Sequence, residues 1–374
     1  MVQFSSRFSV CLALGGLMLL FSGCSESDGS GGWRQSPGEE TDAEVHPHHR
    51  RDAALPETAA DAGASLFDAG AGAPTSVTVV VLPDTQEYPA RFPAIFPAQT
   101  RWIAEQKSDR NIAMVLHVGD VVYNYDSKAQ WAIANSSMRA LDGLVPYVIV
   151  PGNHDSKEDR SGLINDYFSP ATMPWITGTM TAGQIENNYT VVDIGPQKWL
   201  ILGLEFSPRD AVLTWADTIL KRYSTLPAIV MTHAYLYGDV RYDYATYGTT
   251  QNYYPRFYEF TPSEGINDGE DIWQKLIVPN PNVRLVLCGH ISITPAAGLA
   301  RLTSLRADGS PVHQILSCYQ WLYVGTADDL GGSGYLRTME FDYGKKEIRV
   351  QTYSPYLDKS LTDDANQFTV SLEI

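Results

Sequence analysis

The feature that most constrains the fold is a recurring phrase: an apolar, β-branched run that stops and releases side chains with oxygen or imidazole donors. It first occurs as Val79-Val80-Val81-Leu82-Pro83-Asp84-Thr85-Gln86. Such a run reads as a buried strand. The proline ends it, and Asp84 and Gln86, two residues apart, leave the sheet edge on the same side. Alone, an Asp after a strand is an ordinary turn or cap residue. The phrase returns, however. Leu116-His117-Val118-Gly119-Asp120 ends in Gly-Asp, and Val148-Ile149-Val150-Pro151-Gly152-Asn153-His154-Asp155 ends in Gly-Asn-His-Asp. Val230-Met231-Thr232-His233 ends in His, and Val286-Leu287-Cys288-Gly289-His290 ends in Gly-His. Ligands in open α/β sheets gather outside the carboxyl ends of the strands, so these loops can converge. Glycine before Asp120, Asn153 and His290 lets the backbone turn sharply there.

The donor set is carboxylate, amide and imidazole, with no thiolate in the motifs. It favours hard-to-borderline ions such as Mn, Fe or Zn. Two such ions about 4 Å apart can hold a bridging hydroxide and clamp a phosphoryl group. One carboxylate shared between them reduces their mutual repulsion, and Asp120 is the natural candidate. Each residue also has a plainer reading: His233 or His290 as a satisfied core or loop histidine, Asn153 as a turn residue, Asp120 as a helix cap. Jointly those readings give way to a metal site. His117, inside its strand, reads as structural. Asp126 reads as the cap of the next helix. Arg160 fits either a surface position or a substrate phosphate.

The chain has 374 residues, 44% hydrophobic and 19% charged, enough for one large catalytic domain or two small ones. A formal charge of −16 disfavours extended nucleic-acid or anionic-membrane binding. Residues 1–23 carry one charge, Arg7, then an apolar run from Cys11 to Phe21, the order of a signal peptide and too short for a comfortable membrane span. Residues 24–75 are rich in Gly, Ser, Ala, Asp and Glu, and read as a disordered acidic linker. His46, His48 and His49 there read as a solvated tail. Cys288 and Cys318 both sit in apolar strand-like runs, where a disulfide and two buried thiols are both compatible with an exported chain.

From Ser76 to Ile374 the composition is globular. Strands are expected at Val77–Leu82, Ala113–Val118 and Tyr147–Val150, with helices Ala98–Lys107 and Lys128–Leu141 between them, an α/β pattern with crossovers. A hairpin, Asn188–Ile194 and Trp199–Glu205, turns at Gly195-Pro196. Helix Asp210–Arg222, strand Ala228–Met231, helix Glu270–Ile277 and strand Val283–Cys288 follow. The last strands are Gln314–Ser317, Tyr335–Phe341, Ile348–Tyr353 and Phe368–Glu373. Residues 234–262 form an insertion dense in Tyr and Phe, a lid or a packed flap.

The ordered set Asp-X-Gln, Gly-Asp, Gly-Asn-His-Asp, His, Gly-His resembles the calcineurin-like metallophosphoesterases over residues 84–292. The resemblance implies a four-layer α/β/β/α sandwich of two mixed sheets with outer helices. It implies a hydrolase of phosphate mono- or diesters with a dinuclear metal site and bridging hydroxide. Asp84 and Gln86 would bind the first ion, Asn153, His233 and His290 the second, and Asp120 both. His154 would stabilise the transition state or protonate the leaving oxygen, with Asp155 orienting it. The substrate would be a small phosphoester, a nucleotide or sugar phosphate among the candidates. Leu20-Phe21-Ser22-Gly23-Cys24 resembles a bacterial lipobox, implying a lipid on Cys24 that tethers the protein to the membrane. Ser25 resembles an outer-membrane sorting signal. Two positions depart from the family: Gln86 and Ser292 stand where imidazoles are usual, both at the first metal. Ser292, water, His313, Gln314, Gln320 or Trp321 are candidates to complete that shell. These departures motivate a rival reading, a cell-surface binding lipoprotein with a degenerate metal site. A metallo-amidase shares the ligand types, although the Gly-Asn-His-Asp block tilts toward phosphorus.

Overall fold

The computed structural model describes residues 76–291, 298–322 and 329–374. The leader, the linker with Cys24, and Ser292 lie outside the described residues. In chain order the strands are β1 Ser76–Leu82, β2 Ile112–His117, β3 Tyr147–Ile149, β4 Gly178–Thr179, β5 Asn188–Ile194, β6 Gln197–Gly203, β7 Ala228–Met231 and β8 Leu236–Tyr237. They continue as β9 Val240–Arg241, β10 Val283–Cys288, β11 Leu299–Leu305, β12 Pro311–Ser317, β13 Leu336–Asp342, β14 Glu347–Ser354, β15 Lys359–Leu361 and β16 Phe368–Ser371.

One sheet runs β15-β14-β13-β1-β2-β3 with β16 beside β14; the other runs β11-β12-β10-β7-β6-β5-β4. Both are mixed. β1, β2 and β3 are mutually parallel, while β13 joins β1 antiparallel. β6, β7, β10 and β12 are likewise parallel neighbours.

The parallel strands explain the unbroken apolar runs: a strand covered on both faces has no solvent side to make polar. On β6, Trp199 and Ile201 join the core shared with the first sheet, whereas Leu200 and Leu202 face the core beneath the helices. β7 repeats this, with Ile229 and Met231 on one side and Ala228 and Val230 on the other, as a period of two requires. Helices Ile95–Gln106 and Lys128–Arg139 cover the first sheet through Ile95, Phe96, Ile103, Trp131, Ala134 and Met138. Helix Asp210–Arg222 covers the second through Val212, Ala216 and Leu220. This is the expected four-layer α/β/β/α sandwich. Each fully buried Val, Leu or Ile contributes roughly 1.5–3 kcal/mol, which makes the two cores the rigid support for the loops beyond the strands. Among the described residues no helix is long and apolar enough to cross a membrane.

Several boundaries shift for identifiable reasons. The first long helix starts at Ile95, ahead of the expected Ala98, because Pro97 sits in the first turn, where no intrahelical N–H is required. β6 starts at Gln197, not Trp199, because Ile194 pairs with Gln197 across a two-residue turn. Gly195 there has φ +66 and is followed by proline, the pattern of a II′ turn. The expected helix Glu270–Ile277 is one α-turn, Gly269–Ile272, continued by a π-helical turn, Trp273–Ile277. The helix at Lys128 is capped by Ser127, whose hydroxyl accepts the Gln130 N–H, and not by Asp126. β11 was not expected: its side chains alternate between half-buried and exposed, as suits an edge strand with few apolar residues.

Candidate metal centre

Asp120 follows β2 in left-handed backbone, φ 51, and is buried. Its Oδ1 accepts the His154 N–H at 3.0 Å, and its Oδ2 accepts Gln86 Nε2–H at 3.2 Å. His233 Nε2 lies 3.1 Å from the same Oδ2. Asp84, after β1, accepts the His290 N–H at 2.9 Å. Asp120, His233 and His290 are all buried, and each turns one ligand atom toward a common point, with these atoms within 4.8 Å of one another. Both rings are oriented from behind. His233 Nδ1 is 2.8 Å from the Val118 carbonyl, and His290 Nε2 is 2.7 Å from the Tyr253 carbonyl. A carbonyl can only accept, so each ring places an N–H there, and the other nitrogen, His233 Nε2 or His290 Nδ1, is the one that can bind a metal once it carries no proton.

The charges ask for a cation. Burial pushes the Asp84 carboxyl up to about 7, with the His233 charge opposing and the Asp120 charge adding. Burial, then the Asp120 charge, pushes Asp155 up to about 7 against N–H bonds from Gly152, Val122 and Val121. Burial opposes ionisation of Asp120 too, but the charges of His233 and His154 hold it below the usual carboxylate range. Burial also opposes a charge on His233, yet Asp120 and Asp84 raise it to about 9. Burial, followed by the His233 charge, lowers His290 to about 3. Among the described residues, Asp84 Oδ1, Gln86 Oε1 and Asn153 Oδ1 are buried without a hydrogen-bond partner. Unpaired buried oxygens on three of the assigned ligands are what cation ligands leave behind when described as protein alone. The residues present therefore fit a metal site.

The loops are packed tightly around these groups. A Cβ on Gly152 would come within 2.0 Å of Asp120 Oδ1, and one on Gly289 within 2.1 Å of Asp84 Oδ1. Glycine is required at both positions by close approach.

The assigned residues Asp84, Gln86, Asp120, Asn153, His154, His233 and His290 all come to this one place. His154 is half-buried and hydrogen-bonds through Nδ1 to the Tyr123 carbonyl at 2.9 Å. Burial opposes its protonation, but the Asp120 charge and that carbonyl raise its pKa. The expectation that Asp155 orients the His154 ring is corrected. The Asp155 carboxylate accepts N–H groups of Val121 (2.9 and 3.1 Å), Val122 (3.0 Å) and Gly152 (2.8 Å), so its oxygens are committed to pinning two loops together. Arg160 is committed as well, to Thr261 Oγ1 and the carbonyls of Phe206, Ser207 and Phe260, so it fastens the aromatic insertion and leaves no guanidinium edge for phosphate. His117 pairs with Thr85 Oγ1 at 2.9 Å and is structural.

Of the candidates for completing the first metal's shell, Gln320 hydrogen-bonds Gln86. His313 instead meets Thr303 and Ser371, and Gln314 meets Arg241 and Tyr235, away from the cluster. Cys288 and Cys318 are buried thiols not joined in a disulfide, and Cys318 hydrogen-bonds Asp84. Tyr123 and Tyr253 carry roles that no motif announced, because they act through backbone carbonyls.

The model of the calcineurin-like phosphoesterase domain matches residues 77–293, more than half of the sequence. The chain belongs to the calcineurin-like phosphoesterase family. It is also 30% identical over 314 residues to an uncharacterised protein, YvnB of Bacillus subtilis (strain 168), covering 79% of this chain and 22% of YvnB. The chain thus spans about a fifth of that relative's length. Two solved structures are distant likenesses. A purple acid phosphatase from yellow lupin (Lupinus luteus) seeds matches with TM-score 0.45 and 15% identity, over 79% of this chain and 54% of its own. GAP50 of Plasmodium, an anchor in the inner membrane complex, matches with TM-score 0.44 and 12% identity, over 80% and 89%.

Because His233 holds a proton up to about pH 9 without a cation, a metal must displace that proton to bind Nε2. Mn²⁺ or Zn²⁺ affinity is therefore expected to rise with pH, by up to about tenfold per pH unit between about 7 and 9. Calorimetry in buffers of different ionisation enthalpy should show the released proton. A pH-independent affinity with no proton release would remove His233 from the ligand set.

Proposed function

We propose that the chain is a metal-dependent hydrolase of phosphate mono- or diesters, working with a dinuclear site. The carrying observation is the buried convergence of Asp120, His233 and His290 beside His154. In this reading Asp84 and Gln86 hold one ion, Asn153, His233 and His290 the other, and Asp120 both. Mn, Fe or Zn ions there would supply Lewis acidity for the phosphoryl group and its nucleophile.

The chain's own residues do the rest. Tyr123 fixes the His154 ring through Nδ1, leaving Nε2 as the position from which a proton can be given to the leaving oxygen. Asp155 holds the Gly119–Val122 and Gly152–His154 loops in register, so that Asp120 and His154 keep their separation. The buried carboxylates leave the site electrically unsatisfied until cations bind, which couples metal loading to the order of these loops.

One observation favours the second reading, a cell-surface binding protein with a weak first metal site. The Gln86 amide nitrogen, not its oxygen, faces Asp120, so an N–H donor partly occupies the place a first ion would need. Metal content below one ion per chain, with no turnover of any phosphoester, would favour the binder.

Export and lipid attachment belong to the same proposal and rest on the leader and the Leu20-Phe21-Ser22-Gly23-Cys24 motif. The tether would hold the hydrolase at the bacterial outer membrane.

Three outcomes test these statements. His154→Ala should lower kcat on aryl phosphate esters by about 10²–10⁴-fold with metal content intact, the usual loss for a general acid. Asp120→Asn should lose bound metal as well as activity; parent-like rates in both variants would move the site elsewhere. In a bacterial host, labelled palmitate should enter the parent and not Cys24→Ser, and an unlabelled parent would refute the anchor.

A further inference from the structure

Two cavities flank the metal centre. On one side, a cavity of about 480 Å³ reaches Asn153 and His154 and is walled by Phe257 and Tyr258 of the aromatic insertion. On the other, a cavity of about 600 Å³ is bounded by Arg91, Gln320 and Trp321. Tyr123 and Asn124 line both and form the ridge between them. Gln320 hydrogen-bonds Gln86, which ties the wall of the second cavity to the cluster. A phosphorus held beside Asn153 and Gln86 would lie between the two cavities. A monoester has one organic substituent and can use one cavity; a diester has two.

The walls narrow the substituents. Phe257, Trp321 and Tyr123 are 52%, 49% and 44% exposed, large rings left in water along a cleft. Planar groups stack on such faces. The cations of the cleft are already engaged: Arg91 Nε lies 2.6 Å from Glu87, and Lys157 Nζ lies 3.8 Å from Asp159. Glu87 lines the second cavity, and Glu158 and Glu259 line the first. An arm carrying further phosphates would meet carboxylates there, in a chain of net charge −16. A neutral arm meets no such repulsion.

We propose that the substrate is a singly charged phosphodiester with two uncharged organic arms, one presenting a planar ring to Phe257 and Tyr123 and the other lying against Trp321. This rests on the hydrolytic reading above. In the reaction, a water oxygen bonds to phosphorus as one P–O bond breaks. The leaving oxygen takes a proton, and the products are a phosphomonoester and an alcohol.

The test compares bis(p-nitrophenyl) phosphate, p-nitrophenyl phosphate and ATP on the full-length, Mn²⁺-loaded protein. The diester should have the highest kcat/KM, by about tenfold or more, which is the scale of one stacked ring. Phe257→Ala and Trp321→Ala should each raise the diester KM by about tenfold with kcat nearly unchanged. Both side chains are half-exposed, so truncation spares the packed core, and a parent-like diester KM in both variants would overturn the placement of the two arms. Binding is read separately: diphenyl phosphate should quench tryptophan fluorescence in the parent and much less in Trp321→Phe. Hydrolysis that prefers the monoester or ATP overturns the diester assignment and leaves the phosphoesterase reading intact. No turnover of any ester by metal-loaded parent overturns both.

Discussion

A carboxylate taken out of water must be compensated, and the structure is arranged around one that is compensated from three directions. Asp120 receives the His154 backbone N–H, the Gln86 amide and the His233 ring, while Asp155 fastens the loop that carries it. Those groups follow different strands, from both sheets. Isolated burial of such an ion would cost several kcal/mol, so removing any one partner leaves a penalty rather than a neutral gap. The backbone also bends unfavourably to achieve it. Asp84, Asp120 and His290 all hold positive φ, at 34°, 51° and 78°. Strain of about 1–3 kcal/mol at each such residue persists only where the surroundings over-determine it. The two packed sheets supply that rigidity.

The aromatic insertion belongs to this arrangement and is not an appendage. Tyr242, Tyr254 and Phe260 are buried with Phe206 and Ala234 in a small core of their own, which answers the choice between lid and flap in favour of a packed flap. It is tied to the metal centre by a hydrogen bond from the His290 ring to the Tyr253 carbonyl and by the rings of Tyr242 and Tyr258 packed against His290. Tyr253 sits at φ 52, so the carbonyl is aimed by a backbone conformation unusual for a bulky residue. The flap therefore sets the orientation of a ligand and walls the cleft with the same short stretch of chain.

Much of this was legible in the sequence, for a physical reason. Parallel strands buried on both faces write continuous apolar runs, and close approach of one loop to a side chain of the next writes glycine, as at Gly119, Gly152 and Gly289. The candidate residues followed from those two signals and the family pattern. What stayed hidden acts without a side-chain signature. The carbonyls of Val118, Tyr123 and Tyr253 orient three histidines, and any residue offers a carbonyl. Asp155 reads as a partner for its neighbour His154, yet buried N–H groups in two loops claim it first, because leaving them unpaired is costly. Arg160 by its charge fits a phosphate as well as a surface position, but four acceptors, two in the flap and two after β6, consume it.

Anomalous diffraction from crystals of the protein equilibrated with Mn²⁺, measured on both sides of the manganese edge, decides whether Asp120, His233 and His290 share a metal ion. A manganese peak is expected within coordination distance of Asp120, His233 Nε2 and His290 Nδ1, with any second peak on the Asp84 and Gln86 side of Asp120. A crystal with no peak at that cluster, or with manganese bound only elsewhere, would contradict the shared site.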